Sequence, residues 1–338
     1  MKIAITGGGT GGHLSVAKAL LESASNLDLE CVYIGSQRGQ DRAWFENEPK
    51  LSAKYFLKSS GVVNQKGLSK LKSLLNILKL SLKARKILKK EQVSAVFSVG
   101  GFSAAPAAFA SFLYFKPLFI HEQNSKKGSL NALLKPFCKG FFSSFEELFT
   151  PYPVNESFFK NQRLRKELKT IIFLGGSQGA SFINDLALNL APLLNEKGIK
   201  IIHQCGEKEF KKCKQNYSNL GIEADVFAFS KDIAKKMAQA DLAVARAGAS
   251  TLFELCANAL PAIFIPYPYA AKNHQFFNAK FLKDKNLCEI LNQNEVKEKI
   301  LNAIFSINLS EISKNLQKII APNGADFLIK KALSKMKI

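Results

Sequence analysis

Acidic residues are scarce in this chain. It carries 27 Asp and Glu against 48 Lys and Arg, a formal net charge of +21 at pH 7. Such a balance points to an anionic partner: nucleic acid, anionic lipid or a phosphorylated substrate. A general bias toward lysine accounts for part of the excess. No C-x-x-C pair occurs among the six cysteines, and most of them sit in apolar segments. That excludes a disulfide scaffold and leaves core thiols in a reducing cytoplasm. The four histidines (His13, His121, His203 and His274) are scattered, with no H-x-x-x-H and no D-x-D. No protein-bound metal and no cofactor are therefore expected. No apolar run reaches the length of about 18 uncharged residues that a membrane span needs. Met1 leads directly into a strand-like run, so no signal peptide is expected. Neither interleaved stacking aromatics nor a nucleic-acid motif accompanies the charge. Nucleic acid is set aside as a partner, and with it a non-catalytic basic binding protein.

What is present begins with Gly7-Gly8-Gly9-Thr10-Gly11-Gly12-His13, between the apolar run Lys2 to Thr6 and a helical pattern from Leu14. Strand, glycine loop and helix together make a phosphate site. Glycine lets a ligand approach the backbone, and the helix start offers free N–H groups to an anion. Gly7, Gly9 and Gly12 also satisfy the dinucleotide fingerprint G-x-G-x-x-G. That alternative, an oxidoreductase, requires an acidic residue closing the second strand. Here that strand ends Gly35-Ser36-Gln37-Arg38, with Glu30 at its start. A tight turn without ligand would need fewer glycines.

A length of 338 residues suits two domains, each with a full core. Strand and helix patterns alternate up to about residue 150, with strands over Lys54 to Lys58, Ala95 to Val99, Pro117 to Ile120 and Gly140 to Ser143. The prolines of Thr150-Pro151-Tyr152-Pro153-Val154 mark a linker. The pattern then restarts with a strand over Thr170 to Leu174, a second glycine loop Gly175-Gly176-Ser177-Gln178-Gly179-Ala180, and a helix from Ser181. Further strands are expected over Lys200 to Gln204, Ala224 to Ala228, Leu242 to Ala245 and Ala262 to Ile265. The fold class is α/β: two doubly wound, Rossmann-like domains facing a cleft, with ligands outside the carboxyl ends of the strands. The boundaries are 1–150 and 151–324, and the C-terminal helix of 325–338 is a candidate to return to the first domain.

Between Gln65 and Lys90 lie nine Lys and Arg and no acidic residue. Leu68, Leu71, Leu74, Leu75, Leu78 and Leu82 recur at helical spacing. One reading buries these leucines in the domain core. The other presents a basic, partly apolar face to an anionic membrane.

Nine segments, in order, carry a resemblance: GGGTGGH from Gly7, GGFSAAP from Gly100, HEQN from His121, PV at Pro153, GGSQGA from Gly175, HQCG from His203, RAGASTLFE from Arg246, LPAIFIPYPYA from Leu260 and NHQFFNA from Asn273. The set resembles the bacterial N-acetylglucosaminyltransferases that complete the lipid-linked peptidoglycan precursor. The resemblance implies a GT-B fold and inverting transfer from UDP-GlcNAc to lipid I, the undecaprenyl-diphospho-muramoylpentapeptide. It also implies peripheral attachment to the cytoplasmic face of the inner membrane. A related transferase acting on another glycolipid is the alternative.

The resemblance assigns Thr10, Gly11, Gly12 and Asn124 to donor sugar and acceptor. Ser177 and Gln178 fall to the nucleotide loop, the backbone near Phe229 and Ser230 to uracil, and Gln275 to the donor sugar. Ala249, Ser250, Thr251 and Glu254 form the ribose segment. Ser177 read by itself suits either phosphate binding or helix capping. An inverting transfer needs a general base. His13 is the candidate, because an imidazole titrates near neutrality, and Glu122 is the reserve. One departure stands out. The family has arginine after Pro-Val, where this chain has Asn155. Arg163, Arg165 and Arg246 are candidates to replace its charge.

Overall fold

The computed structural model describes residues 1–61, 65–145, 150–176 and 179–336. Two units divide the chain. The first comprises Met1–Val154 with Asn323–Ile338, the second Asn155–Pro322.

In the first unit the strands are β1 (Lys2–Thr6), β2 (Glu30–Ser36), β3 (Leu51–Leu57), β4 (Ala95–Ser98), β5 (Leu118–Glu122) and β6 (Gly140–Ser143). They form one parallel sheet in the order β3-β2-β1-β4-β5-β6. The second unit holds β7 (Thr170–Leu174), β8 (Lys200–Gln204), β9 (Ala224–Phe227), β10 (Leu242–Ala245), β11 (Ala262–Phe264) and β12 (Glu289–Ile290). Its order, β12-β11-β10-β7-β8-β9, is the same winding read from the other edge. Ile3, Ala4 and Ile5 are fully buried, as are Ile171, Ile172 and Phe173. Strands covered on both faces read as continuous apolar runs, which is why they were visible in the sequence.

The order reverses between β1 and β4 in one sheet and between β7 and β10 in the other. Such switch points open a crevice beyond the strand ends. Both glycine loops sit there, after β1 and after β7. The C-terminal helix Gly324–Met336 belongs to the first unit and packs on the helix Gly11–Asn26.

The helix Gly67–Lys90 corrects one expectation. Its inner face consists of Ser73, Leu80, Ser81, Ala84, Ile87 and Leu88. The leucines assigned to the core point outward: Leu68 is 78% exposed, Leu75 58% and Leu78 57%. Two apolar stripes share this helix, and periodicity by itself could not say which one meets the sheet.

Candidate active site

The first loop is held from below. The Asp41 side chain, fully buried, accepts hydrogen bonds from the Gly9 N–H (2.6 Å) and the Ser36 N–H (2.8 Å). The Tyr33 hydroxyl lies 2.9 Å from the Gly7 carbonyl oxygen and 3.1 Å from Asp41 Oδ1. Burial, together with the neighbouring Asp41, pushes the Tyr33 pKa well above its usual value. Gly101, with φ +79°, lies so close beneath Gly8 that a methyl group there would run into the Gly8 carbonyl oxygen. Much of the glycine in this loop thus makes room for protein, not only for ligand. Asp41 lies five residues beyond β2, and both of its oxygens are engaged by Gly9, Ser36 and Tyr33.

Thr10 is the N-cap of the helix Gly11–Asn26, yet its hydroxyl makes no capping bond to the backbone. Its Oγ1 instead sits 3.0 Å from His13 Nδ1. Half-buried His13 has its Nε2 3.5 Å from where a Gly100 side chain would begin, an ordinary contact distance.

Glu122, at the end of β5, is buried. Its carboxylate accepts from the Asn124 N–H (3.0 Å), the Gly128 N–H (2.9 Å) and Asn131 Nδ2 (2.9 Å). A carboxylate with three such donors shapes the Asn124 loop and has little lone-pair capacity left for a substrate proton. His121 is 2% exposed, and its ring meets Tyr152 edge-on at 5.2 Å. Burial, with help from nearby His13, lowers its pKa to about 3. It is a neutral core residue.

In the second unit, Ser177 and Gln178 lie outside the described residues. The helix beyond them, Ser181–Glu196, has Ala180 at its N-cap, which offers no capping side chain. Its first turn is braced by side chains. Asn184 Nδ2 donates to the Cys205 carbonyl (3.0 Å) and Glu209 (2.9 Å), and Ser181 also bonds Glu209. His203 spans Asn184 Oδ1 (3.0 Å) and the Tyr217 hydroxyl (3.1 Å). Burial takes the His203 pKa down to about 4.

After β10, Gly248 caps the helix Ala249–Ala257. Ala249 and Ser250 are buried in its first turn, while Thr251 and Glu254 are half-buried. Ser230 accepts the Asp232 N–H at 3.1 Å. Lys272 and Asn273 both adopt left-handed backbone (φ 54° and 53°) just before the helix His274–Lys283. Such strain is common where a side chain must be aimed. Here the turn carries Gln275, whose Oε1 accepts the Tyr267 N–H at 2.9 Å.

The three candidate cations separate cleanly. Arg163 pairs with Asp241 (2.7 Å), and Arg165, with no exposed surface, is ringed by the carbonyls of Met237, Ala240 and Asn258. Asp241 in turn binds the N–H of Thr170, at the start of β7. Both arginines are thus fixed at the amino ends of the strands, away from the glycine loop, and cannot replace a phosphate-binding arginine. Arg246 alone stands at a carboxyl end. It reaches the Ile265 carbonyl (3.0 Å) and lies over the Phe182 and Tyr267 rings. Its Nε is buried with no hydrogen-bond partner among the described residues. Asn155 caps the short helix Glu156–Lys160 through the Ser157 N–H (2.9 Å).

Residues 3–143 match the Glycosyltransferase family 28 N-terminal domain, and residues 170–331 match the Glycosyltransferase family 28 C-terminal domain. The chain belongs to glycosyltransferase family 28. Family members of similar length surround it. One from Campylobacter jejuni subsp. doylei is 63% identical over 335 residues, covering 99% of this chain and 98% of its own. One from Wolinella succinogenes is 50% identical over 328 residues, covering 96% and 98%. Both are named UDP-N-acetylglucosamine--N-acetylmuramyl-(pentapeptide) pyrophosphoryl-undecaprenol N-acetylglucosamine transferase. Among solved structures, Acinetobacter baumannii MurG superposes with a TM-score of 0.76 at 26% identity, covering 98% of this chain and 99% of that one. A UDP-glucose: anthocyanidin 3-O-glucosyltransferase in complex with UDP gives 0.65 at 12% identity, covering 99% and 98%. That likeness concerns the fold, which is GT-B.

Sequence reasoning missed the braces of this family 28 site: Asp41, Tyr33, Asn131, Asn184 and Glu209. None lies in a glycine loop; Asp41 and Tyr33 act largely on backbone groups, whereas Asn131 and Glu209 bond to side chains and Asn184 to both. The one available signal was Asp41, an acid soon after a strand otherwise followed by glycine and basic residues.

Proposed function

We propose that the chain transfers N-acetylglucosamine from UDP-GlcNAc to the 4-hydroxyl of the muramoyl-pentapeptide of lipid I, giving lipid II for peptidoglycan synthesis. The observation that carries this is near-full-length identity of 63% to a transferase named for that reaction. His13 Nε2 takes the proton of the attacking hydroxyl. Thr10, Gly11, Gly12 and Asn124 place the reacting groups, and Glu122 orders the Asn124 loop as a positioning residue. The second unit binds the donor. Ser177 and Gln178 take the diphosphate at a helix start, the segment at Ser230 takes the uracil, and Gln275 takes the sugar. Ala249, Ser250, Thr251 and Glu254 hold the ribose. Inversion follows from a single displacement at the anomeric carbon.

No helix among the described residues is long and apolar enough to cross a membrane. The lipid acceptor is met from the cytoplasmic face of the inner membrane, through the outward leucine stripe of the helix Gly67–Lys90 and its flanking lysines. Leu133, Phe137 and Phe115 (92% exposed) extend the apolar surface of this unit. Basic groups beside exposed apolar ones suit an anionic interface.

The experiment is UDP release by the purified chain with UDP-GlcNAc and a short-chain lipid I analogue. Release that depends on both compounds supports the assignment. Donor binding without release would assign the chain another lipid acceptor, and no donor binding would remove the sugar-nucleotide reading.

A further inference from the structure

We infer that Arg246 is a positioning residue for Gln275, holding its side-chain amide as a hydrogen-bond donor to the oxygens of the donor sugar; this rests on the second unit binding UDP-GlcNAc. Arg246 is half-buried just beyond the carboxyl end of β10. Its guanidinium bonds only neutral groups: the Ile265 carbonyl (3.0 Å), the Pro266 carbonyl (3.2 Å) and Gln293 Oε1 (3.1 Å). The Phe182 and Tyr267 rings lie 5.4 Å and 5.6 Å from its Cζ. Burying a cation among neutral partners is unfavourable, and burial lowers the pKa of this one. What it gains here is geometric. A planar fork with five N–H donors can grip several carbonyl oxygens at once.

The segment so gripped leads from β11 into the helix His274–Lys283. One guanidinium nitrogen holds the Ile265 and Pro266 carbonyls, and the next residue, Tyr267, donates its N–H to Gln275 Oε1 (2.9 Å). A backbone N–H can only donate, so the amide atom bonded to it is the oxygen. That leaves Nε2 with its N–H groups, and the Gln275 side chain makes no other hydrogen bond among the described residues. The turn between the two residues is tight. The Ala270 N–H returns to the Tyr267 carbonyl (3.1 Å), and Lys272 and Asn273 are left-handed. Hydroxyl and acetamido oxygens of a sugar accept what Nε2 donates. When Arg246 releases its two carbonyls, the Tyr267 N–H moves and the Gln275 amide can rotate to offer oxygen instead.

The test measures the Kd of the full chain for UDP and for UDP-GlcNAc by calorimetry, without acceptor. Comparing the two isolates the sugar. Gln275→Glu keeps an oxygen for the Tyr267 N–H but has nothing to donate. It should weaken UDP-GlcNAc binding about five- to tenfold, the ordinary contribution of one hydrogen bond. Binding of UDP should change less than about twofold. Arg246→Met keeps an apolar stem beside the rings, and it should weaken UDP-GlcNAc by a similar factor and UDP by less. In the double variant the losses should not multiply, because Arg246 acts through Gln275. Arg246→Lys keeps the charge without the fork. It should move the same way by less, and it decides the matter if Arg246→Met does not fold. Equal losses for UDP and UDP-GlcNAc overturn the inference, because that is the signature of charge repulsion or of a merely loosened unit. Losses that multiply in the double variant also overturn it. If wild type binds neither compound, the donor reading itself fails and the inference fails with it.

Discussion

The two glycine loops look alike in sequence and are built differently. The first is packed from beneath: Gly101 presses on the Gly8 carbonyl, and Asp41 and Tyr33 grip its backbone. The second is packed at its ends, where a methyl group on Gly175 would meet Ala180 N and one on Gly179 the Cys205 carbonyl oxygen, but has open space at Gly176, where a methyl group would meet nothing within 4 Å although φ is +79°. Side-chain bracing follows in the next turn, through Asn184, Glu209 and His203. Firm backbone contacts in the first loop suit the base proposed there, which must be aimed, and the open position at Gly176 suits the proposed diphosphate, which must approach the backbone closely.

The sharpest way to break this comparison is to remove the chemistry of the first loop. His13→Gln should lower kcat by about 10²–10⁴-fold with little change in the KM for UDP-GlcNAc. A variant that loses donor affinity instead would place His13 in donor binding. Next in size is Gly101→Ala, which adds a steric clash to left-handed strain. It should cost about 3–4 kcal/mol in denaturant unfolding, from the usual penalties for overpacking and for that backbone region.

Acid separates the halves by their buried histidines. His121 and His203 stay neutral in the folded chain down to about 3 and about 4, against an ordinary value of 6.5. In the unfolded chain they take up protons near that ordinary value. Their contribution to stability is therefore complete above it and is lost as pH falls toward the folded values. The slope is about 1.4 kcal/mol per pH unit for each histidine. Urea unfolding at pH 6.5 and at about pH 5 should show the loss, and His203→Gln should remove one share of it. An unchanged slope in that variant would contradict the account.

On the leucine stripe proposed to meet the membrane, replacing Leu71, Leu75 and Leu78 by Ser should reduce binding to anionic vesicles by roughly 10²-fold, at about 1 kcal/mol for each partly buried leucine. Thermal stability should hold, because these side chains are exposed. Equal flotation of wild type on neutral and anionic vesicles would remove the electrostatic part. The smallest effect belongs to Gly176→Ala, where strain acts alone. It should cost about 1–2 kcal/mol, less than Gly101→Ala, and the reverse order would undo the contrast between the loops.

The alternation of strands and helices was legible because a parallel sheet buried on both faces leaves unbroken apolar runs such as Ile3 to Ile5 and Ile171 to Leu174. The glycine loops and their places at strand ends were legible for the same reason. β12 escaped notice, since a two-residue edge strand carries no period. The leucines of Gly67–Lys90 were legible as a helix but not as a surface, since a second stripe of Leu80, Ala84, Ile87 and Leu88 fills the core. The arginines show the limit most clearly. Arg163, Arg165 and Arg246 are equivalent in composition, and only the fold sends two of them to the amino ends of the strands. Tyr33 was invisible because it acts on a backbone atom distant in sequence, and Asp41 left only its place soon after a strand, since a backbone partner leaves no mark in the pattern of residues.

The most direct measurement is the anomeric configuration of the product formed from UDP-GlcNAc and a lipid I analogue, read by NMR. The account predicts a single β-linked N-acetylglucosamine on the 4-hydroxyl of the muramoyl sugar, with kcat lost in His13→Gln. An α-linked product would contradict the single displacement. A sugar placed on another hydroxyl would contradict the assigned acceptor.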